Sequence, residues 1–178
     1  MAKKVLVIST SLRGGSNSEI LARECARGAA DAGLEVEYVS LKDKEIRNCI
    51  GCLTCHKGMP CVLKDDGAEV IGKIREAEAV VFSTPIYYYE MSGQMKTLLY
   101  RSNPLYGGDY NFRDIYFIAS AADTDEHTFD RAISGLEGWI CCFDKCSLKG
   151  TVVCGDVNDA KSVNGKDKAL KEVYELVR

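Results

Sequence analysis

The sequence predicts an α/β fold in which helices cover both faces of a parallel sheet. Along all 178 residues, short runs rich in β-branched residues alternate with helical patterns. The first run, Val5 to Ile8, is continuously apolar, as is typical of a strand buried on both faces. Because no repeat or linker interrupts the alternation, we expect one domain over residues 1–178.

Five strands and five helices are expected in turn. The strands are predicted at residues 5–8, 36–39, 79–82, 115–118 and 151–153, and the helices at 18–32, 65–76, 92–101, 126–143 and 166–177. Right-handed crossovers between such strands give a three-layer sandwich. Five strands suit the flavodoxin-like order 2-1-3-4-5, in which the ligand lies beyond the carboxyl ends of strands 1, 3 and 4.

Composition excludes several classes of function. The net charge is −3, with 23 basic and 26 acidic residues and no basic block, so we expect no nucleic-acid partner. No apolar run approaches the ~20 residues of a membrane span, and the run after Lys4 is too short for a signal peptide. We therefore expect a cytoplasmic protein with no membrane partner. In that compartment the nine cysteines indicate metal or redox chemistry rather than disulfides.

The loop after the first strand has the composition of a phosphate site. It runs from Thr10 to Ser18 and combines hydroxyl side chains, two glycines and Arg13 at the start of a helix. The positive end of a helix favours an anion, and a guanidinium pairs with phosphate oxygens. We therefore interpret this loop as the binding site of a phosphate group.

Two common phosphate motifs are absent from the sequence. There is neither the Gly-Lys-Ser/Thr of a nucleoside-triphosphate loop nor the G-x-G-x-x-G of dinucleotide-binding folds. A monophosphate recognised by hydroxyl and amide donors remains, and FMN is the obvious candidate. The alternative is that Ser16, Asn17 or Ser18 only caps the helix, which accounts for one of these residues but not for the whole polar loop.

The loops after the third and fourth strands are suited to a flat ring. Three consecutive tyrosines, Tyr87 to Tyr89, follow the third strand beside the expected crevice. Aromatic side chains hold a heteroaromatic ring by stacking, although exposed tyrosines also serve subunit contacts. After the fourth strand, the small residues from Ser120 to Ala122 let a ring approach the backbone.

Together these segments resemble a known family. The run Ser11-x-Arg13-x-x-Ser16-Asn17-Ser18, with Ser83-Thr84-Pro85-Ile86-Tyr87 and Gln94-Met95-Lys96 downstream, is similar to the flavodoxin-fold NAD(P)H-dependent FMN reductase superfamily. The resemblance covers the chain to about Gly155 and implies bound FMN, NAD(P)H as co-substrate and a homodimer or homotetramer. It assigns phosphate contacts to Ser11, Arg13, Ser16, Asn17 and Ser18. It assigns flavin-ring contacts to Pro85, Ile86, Tyr87, Tyr88, Ser120, Ala121 and Ala122.

A cysteine-rich loop at residues 48–62 adds a second candidate site. Its spacing, Cys49-x-x-Cys52-x-x-Cys55 followed by Cys61, resembles that of the iron-sulfur flavoproteins within the same superfamily. Two x-x steps let one loop fold round a [4Fe-4S] cluster, with Cys61 as the fourth thiolate. Because the loop follows the second strand, we expect the cluster at the same sheet edge as the FMN. A structural zinc, which normally has more widely separated Cys-x-x-Cys pairs, and plain thiols without metal are the alternatives.

The leading functional prediction is an FMN-dependent oxidoreductase that transfers electrons to an acceptor. The electrons come from an iron-sulfur cluster or from a reduced donor such as a ferredoxin-like protein. FMN carries this chemistry itself, so no acid–base residue has to be assigned. One alternative is a cluster-free NAD(P)H-dependent flavin or quinone reductase, and another is a non-catalytic flavin- or zinc-binding sensor module.

We also expect a second subunit to cover Tyr87–Tyr89 and residues 104–111 in part. Cys142 and Cys146 are spaced to share a face of the fourth helix.

Overall fold

A six-stranded sheet lies at the centre of the computed structural model, which describes residues 2–178. The strands are β1 (Lys4–Ser9), β2 (Glu35–Ser40), β3 (Ala79–Tyr87), β4 (Glu90–Met91), β5 (Asp114–Ser120) and β6 (Ser147–Cys154). Residues Val5 to Ile8 of β1 have no exposed surface. Burial on both faces explains why their run of apolar residues is unbroken.

The strand order is β2-β1-β3-β5-β6, and all four pairings along this path are parallel. The predicted α/β class with a flavodoxin-like parallel sheet is confirmed. The order differs from the predicted 2-1-3-4-5 only through the short β4, which pairs antiparallel with the end of β3 and shifts the numbers of the last two strands. In this order the carboxyl ends of β1, β3 and β5 are neighbours, so the loops that follow them meet.

Five helices cover the two faces of the sheet. They are α1 (Asn17–Asp31), α2 (Gly67–Glu76), α3 (Gly93–Arg101), α4 (Asp130–Ile140) and α5 (Asp167–Glu175). α1 and α5 bury apolar side chains such as Leu21 and Val173 against one face. α2, α3 and α4 bury Ile74, Leu98 and Leu136 against the other, which gives the expected three layers. Within residues 2–178, no helix combines the length and the apolar character that crossing a membrane requires.

α1 and α5 cross at very short range. A Cβ atom placed on Gly28, in α1, would lie 1.9 Å from the carbonyl oxygen of Tyr174, in α5. No side chain larger than a hydrogen atom fits between the two backbones at this point. The crossing therefore depends on glycine at position 28.

The bounds of several elements differ from the predicted ones, most of all those of β3, β6 and α4. β6 begins at Ser147, before the predicted start at residue 151. β3 continues beyond the predicted end at Phe82 as far as Tyr87, where a tight turn leads into β4. The turn residues Tyr88 and Tyr89 have φ angles of 51° and 65°, a conformation that turns usually reserve for glycine or asparagine. The turn therefore has no ordinary sequence signature. α4 is shorter than the predicted 126–143, because residues on both sides of Asp130–Ile140 form turns.

Candidate functional site

The carboxyl ends of β1, β3, β5 and β6 surround a cleft of about 200 Å³. Its lining comes from four loops and consists of Ser11, Arg13, Ser16, Asn17, Ser18, Pro85, Ile86, Tyr87, Ser120, Ala121, Ala122, Val157 and Asn158. The structure thus brings together every residue predicted to contact FMN except Tyr88. Val157 and Asn158, from the loop after β6, were not predicted from the sequence.

The first turn of α1 forms one end of the cleft. Ser16 is the N-cap, and its hydroxyl accepts a hydrogen bond from the amide of Glu19 at 3.2 Å. The carboxylate of Glu19 in turn accepts one from the amide of Gly15 at 2.8 Å. Helix capping, the simpler interpretation of this loop, therefore does occur at Ser16. It leaves Ser11 and Arg13 on the wall of the cleft beside the helix N-terminus, where the partial positive charge favours an anion.

Two lysines add positive charge to this loop. The ammonium nitrogen of Lys42 would lie 3.0 Å from a Cβ atom placed on Gly14, and Cε of Lys161 would lie 3.5 Å from one placed on Gly15. Neither lysine was singled out from the sequence. Lys42 follows β2, the neighbour of β1, so the strand order alone points to it. Lys161 comes from a distant segment. With Arg13, the loop lies among three basic side chains, which suits a phosphate.

The side chain of Asn17 binds the loop after β6. Its side-chain amide donates hydrogen bonds to the carbonyl oxygens of Val157 (3.1 Å) and Asp159 (2.8 Å), and its carbonyl oxygen accepts one from the amide of Val163 (3.2 Å). The side chain thus holds the loop after β6 against the start of α1. What Asn17 can offer a phosphate is its backbone amide, in the first turn of the helix.

The other end of the cleft is lined by the backbone of two strand ends. The amide of Ala121 donates a hydrogen bond to the carbonyl oxygen of Cys154 at 3.0 Å, and its carbonyl oxygen accepts one from Val157 at 3.0 Å. These bonds fix the small residues from Ser120 to Ala122 at the edge of the sheet. Next to them lie Pro85–Tyr87, in the last part of the neighbouring strand β3, where Pro85 is the register partner of Ser120.

Tyr88 lies outside the cleft, so its assignment as a flavin-ring contact is not supported within this chain. It occupies the tip of the β3–β4 hairpin and is 98% exposed. The hydroxyl of its neighbour Tyr89 donates to Oδ2 of Asp123 at 3.1 Å, which joins the hairpin to the loop after β5. The left-handed conformation costs a non-glycine residue roughly 1–2 kcal/mol. The hairpin therefore holds Tyr88 away from the body of the protein at a cost in backbone energy.

The four thiols of the cysteine-rich loop line one cavity. Its walls include Cys49, Cys52, Cys55, Cys61, Arg101 and Asn103. Cys52 is exposed, and the other three are half-buried. The hydroxyl of Thr54 donates to Sγ of Cys52 at 3.3 Å, which lowers the pKa of that thiol. Burial raises the pKa of the Cys55 thiol.

This donor set fits a soft metal centre. Thiolates are the ligands of iron-sulfur clusters, and hydrogen bonds to their sulfur atoms are part of such sites. Across residues 2–178, no three Cys, His, Asp or Glu side chains converge closely enough to hold a single metal ion. The surface beside the cavity is apolar, with Ile50, Leu53, Met59 and Val62 all exposed.

From its position after β2, we expected the cysteine-rich loop to lie directly beside the cleft. The structure places it farther away. Gln94, in the first turn of α3, borders the mouth of the cleft. Cys49 and Cys61 lie at the opposite end of the same helix, where Asn103 and Arg101 contact them. Gln94 and Arg101 are seven positions apart, which corresponds to roughly 10 Å along the helix. The two candidate sites are therefore connected by the length of α3.

The remaining cysteines show no comparable grouping. All nine cysteines of the chain are free thiols. Cys25 is fully buried in the layer between α1 and the sheet, and burial raises its pKa to about 12. Cys142 and Cys146 lie beyond Ile140, the last residue of α4, so they do not share a helix face as expected. Cys142 is exposed and Cys146 is half-buried.

The comparison with protein families decides the assignment. The family described as NADPH-dependent FMN reductase matches residues 3–129. This range begins just before β1 and includes the cysteine-rich loop and the ends of β3 and β5. The chain belongs to the NADPH-dependent FMN reductase family. The predicted resemblance is confirmed, and the FMN reductase family is one of FMN-dependent oxidoreductases.

Several relatives of this FMN reductase family member carry the name iron-sulfur flavoprotein. One from Methanocaldococcus jannaschii is 40% identical over 102 residues, which cover 57% of this chain and 53% of the relative. Another, from Methanosarcina thermophila, is 26% identical over 154 residues, covering 86% and 78%. The chain spans about half the length of the first curated relatives that it matches.

Solved structures of a quinone oxidoreductase and an azoreductase share the fold. The NAD(P)H:quinone oxidoreductase from Methanothermobacter marburgensis superposes with a TM-score of 0.74 at 17% identity, covering 100% of this chain and 96% of the other. An azoreductase from Bacillus anthracis gives 0.72 at 15% identity, covering 98% of both chains. At these identities the likeness establishes the architecture of this FMN reductase family member.

Proposed function

We propose that the chain binds one FMN in the cleft, with the phosphate at the start of α1. The observation that carries this proposal is the division of the cleft into two chemically different ends. One end offers the hydroxyls of Ser11 and Ser16, the helix N-terminus and the guanidinium of Arg13. The other offers Pro85–Tyr87 and Ser120–Ala122. A phosphate requires donors and positive charge, and a flat ring requires small and aromatic neighbours.

Bound FMN supplies the redox chemistry, since it exchanges two electrons as hydride or one at a time. The chain's own residues bind and orient it. Arg13 pairs with the phosphate, and Lys42 and Lys161 add positive charge beside the loop that holds it. The backbone at Ala121 is fixed by its bonds to Cys154 and Val157. The proposed activity is that of an FMN-dependent oxidoreductase with NAD(P)H as co-substrate.

For the second site we propose that the four cysteines of residues 48–62 hold one [4Fe-4S] cluster. Three observations support this: the thiols line one cavity, hydrogen-bond donors reach three of the sulfur atoms, and relatives are named iron-sulfur flavoproteins. In this reading a ferredoxin-like protein is the electron donor. The exposed apolar side chains of Ile50, Leu53, Met59 and Val62 offer it a contact surface.

The second candidate is a cluster-free NAD(P)H-dependent flavin or quinone reductase. It is favoured by the family description, which names NADPH and no metal. The FMN cleft is the same in both cases, so only the cysteine-rich loop separates them. Metal analysis of anaerobically purified protein distinguishes the two functions.

Replacement of Arg13 by alanine tests the FMN site. Loss of a charge-assisted hydrogen bond costs roughly 1.5–3 kcal/mol, which corresponds to about a 10- to 150-fold weaker binding of FMN. Riboflavin lacks the phosphate, so its affinity should not change. Titration of the apoprotein with each flavin, followed by fluorescence, measures both constants.

Leu12→Ala is the matched control, because Leu12 is the exposed neighbour of Arg13 and lies outside the phosphate-binding end of the cleft. An Arg13→Ala protein that binds FMN as tightly as the parent contradicts the assignment.

We further propose a homodimer or homotetramer in which the β3–β4 hairpin contacts another subunit. Tyr87 and Tyr88 are exposed at its tip, and Tyr106 is exposed in the loop after α3. Exposed tyrosines of this kind are enriched at interfaces. Sedimentation velocity of the FMN-bound protein at micromolar concentration should show no monomer, and Tyr88→Asp should shift the distribution towards monomer. A parent protein that sediments as a monomer rules this assembly out.

A further inference from the structure

A buried ion pair lies behind the cysteine-rich loop. Arg101, the last residue of α3, has a side chain that is 2% exposed, and the side chain of its partner Asp65 has no exposed surface. The guanidinium donates to both carboxylate oxygens, at 2.7 and 2.9 Å. This bidentate pair holds the pKa of the Asp65 carboxyl well below its usual range. Gly67 leaves room for it, since a Cβ atom there would lie 2.7 Å from Cζ of Arg101.

The ion pair joins the two ends of the cysteine-rich loop. Arg101 donates a further hydrogen bond to the carbonyl oxygen of Arg47 at 2.8 Å. The amide of Arg47 donates to Asp65 at 2.9 Å, and that of Gly67 donates to Asp65 at 3.0 Å. Arg47 precedes the first cysteine of the loop and Asp65 follows the last one. Both ends of the segment are therefore fixed at a single guanidinium–carboxylate pair.

The same end of α3 also contacts the thiols. Nη2 of Arg101 donates to Sγ of Cys61 at 3.6 Å. Two residues further on, Nδ2 of Asn103 donates to Sγ of Cys49 at 3.5 Å. The first and the last cysteine of the loop thus each accept an N–H···S hydrogen bond from one short stretch of chain. A buried ion pair is a costly way to close a surface loop, and hydrophobic packing would serve as well or better. A requirement that the guanidinium face a thiolate would account for the geometry of this ion pair.

We propose that Arg101 and Asn103 are positioning residues of the cysteine site: they fix Cys61 and Cys49 and donate hydrogen bonds to their thiolates in the metal-bound protein. This inference rests on the proposed iron-sulfur function. Residues that contact metal ligands orient them, and their loss typically weakens metal binding by about 10- to 100-fold. Hydrogen bonds to the sulfur atoms also help to set the reduction potential of a cluster, because they withdraw charge from the thiolates.

The test uses the full chain, reconstituted anaerobically with iron and sulfide. Four proteins are compared: the parent, Arg101→Lys, Asn103→Ala and Arg75→Lys. Three quantities are measured: iron per chain, the rate of iron loss to a chelator, and the midpoint potential of the metal signal. In Arg101→Lys and Asn103→Ala, iron loss should be roughly 10- to 100-fold faster and the midpoint potential lower than in the parent. Arg75→Lys is the matched control, because Arg75 is an exposed arginine that borders the neighbouring cavity with Cys55 and Cys61.

The outcomes separate the two proposals. A parent that takes up no iron overturns the cluster function itself. A parent that takes up iron, with both variants matching it in chelation rate and potential, overturns the role of Arg101 and Asn103. Asn103 is half-buried and outside the ion pair, so Asn103→Ala decides the matter even when Arg101→Lys fails to fold. The FMN content of each variant, measured in parallel, reports whether the fold is retained.

Discussion

Replacement of Cys52 by alanine is expected to remove the iron from the anaerobically isolated protein while FMN stays bound. The parent should contain about four irons and four sulfides per chain and show a broad visible absorption that bleaches on reduction. Loss of one of four thiolates leaves one iron without its protein ligand. Cys52 lies in the cysteine cavity, and none of the residues that line the FMN cleft contacts it through a hydrogen bond. Iron and sulfide analysis, with the visible spectrum, measures both cofactors in one sample.

Cys141→Ala is the control for this experiment. Cys141 is exposed, as Cys52 is, but it lies just after α4 and outside the cysteine cavity. Its replacement should change neither iron nor flavin. Stoichiometric zinc in place of iron, or a cluster that survives the loss of Cys52, contradicts the assignment. A metal-free parent that still reduces flavin with NADPH favours the plain reductase.

The second large effect is expected from Gly28→Ala, which should lower the free energy of unfolding by about 3 kcal/mol. The added methyl carbon would lie 1.9 Å from the carbonyl oxygen of Tyr174. The obstacle is backbone, so no side-chain rotation relieves it, and α1 and α5 have to move apart. Urea unfolding of the FMN-bound protein, followed by circular dichroism, measures the change.

Gly138→Ala provides the comparison. Gly138 lies within α4, and a Cβ atom placed there meets nothing within 4 Å. Alanine is the better helix former by up to about 1 kcal/mol, so this variant should be slightly more stable than the parent. The two substitutions are chemically identical and differ only in what surrounds the new methyl group. Equal stabilities for both variants contradict the close approach of α1 and α5.

The parallel sheet and its loops were predictable because local patterns determine them. The run Val5 to Ile8 is apolar throughout only because both sides of β1 are covered, and this condition can be read without coordinates. The loop from Ser11 to Ser18 directly follows β1 in the sequence. The prediction of the strand therefore also placed this loop at the carboxyl edge of the sheet. The β3–β4 hairpin escaped prediction for the opposite reason. Tyr88 and Tyr89 adopt positive φ angles, but the sequence there lacks the glycine or asparagine that usually predicts such a turn.

Contacts between distant segments were beyond the reach of sequence reasoning. Val157 and Asn158 enter the cleft because Asn17 binds their loop, and no periodicity relates positions 140 residues apart. Arg101 reads as an ordinary charged residue in the last turn of a helix, where basic residues are common. Its burial against Asp65 and its contact with Cys61 depend on how α3 packs on the cysteine-rich loop. The displacement of that loop from the sheet edge depends on the same packing.

The hydrogen bonds of Asn17 constrain when the flavin cleft can form during biosynthesis. The start of α1 is translated early, but the carbonyl and amide groups that its side chain binds belong to Val157, Asp159 and Val163. Until the ribosome has released these residues, the first loop has no wall on one side and its asparagine has no buried partners. A nascent chain that contains only β1 to β5 therefore lacks a complete nucleotide pocket. We expect the cofactor to be acquired only after residues 157–163 have left the ribosome.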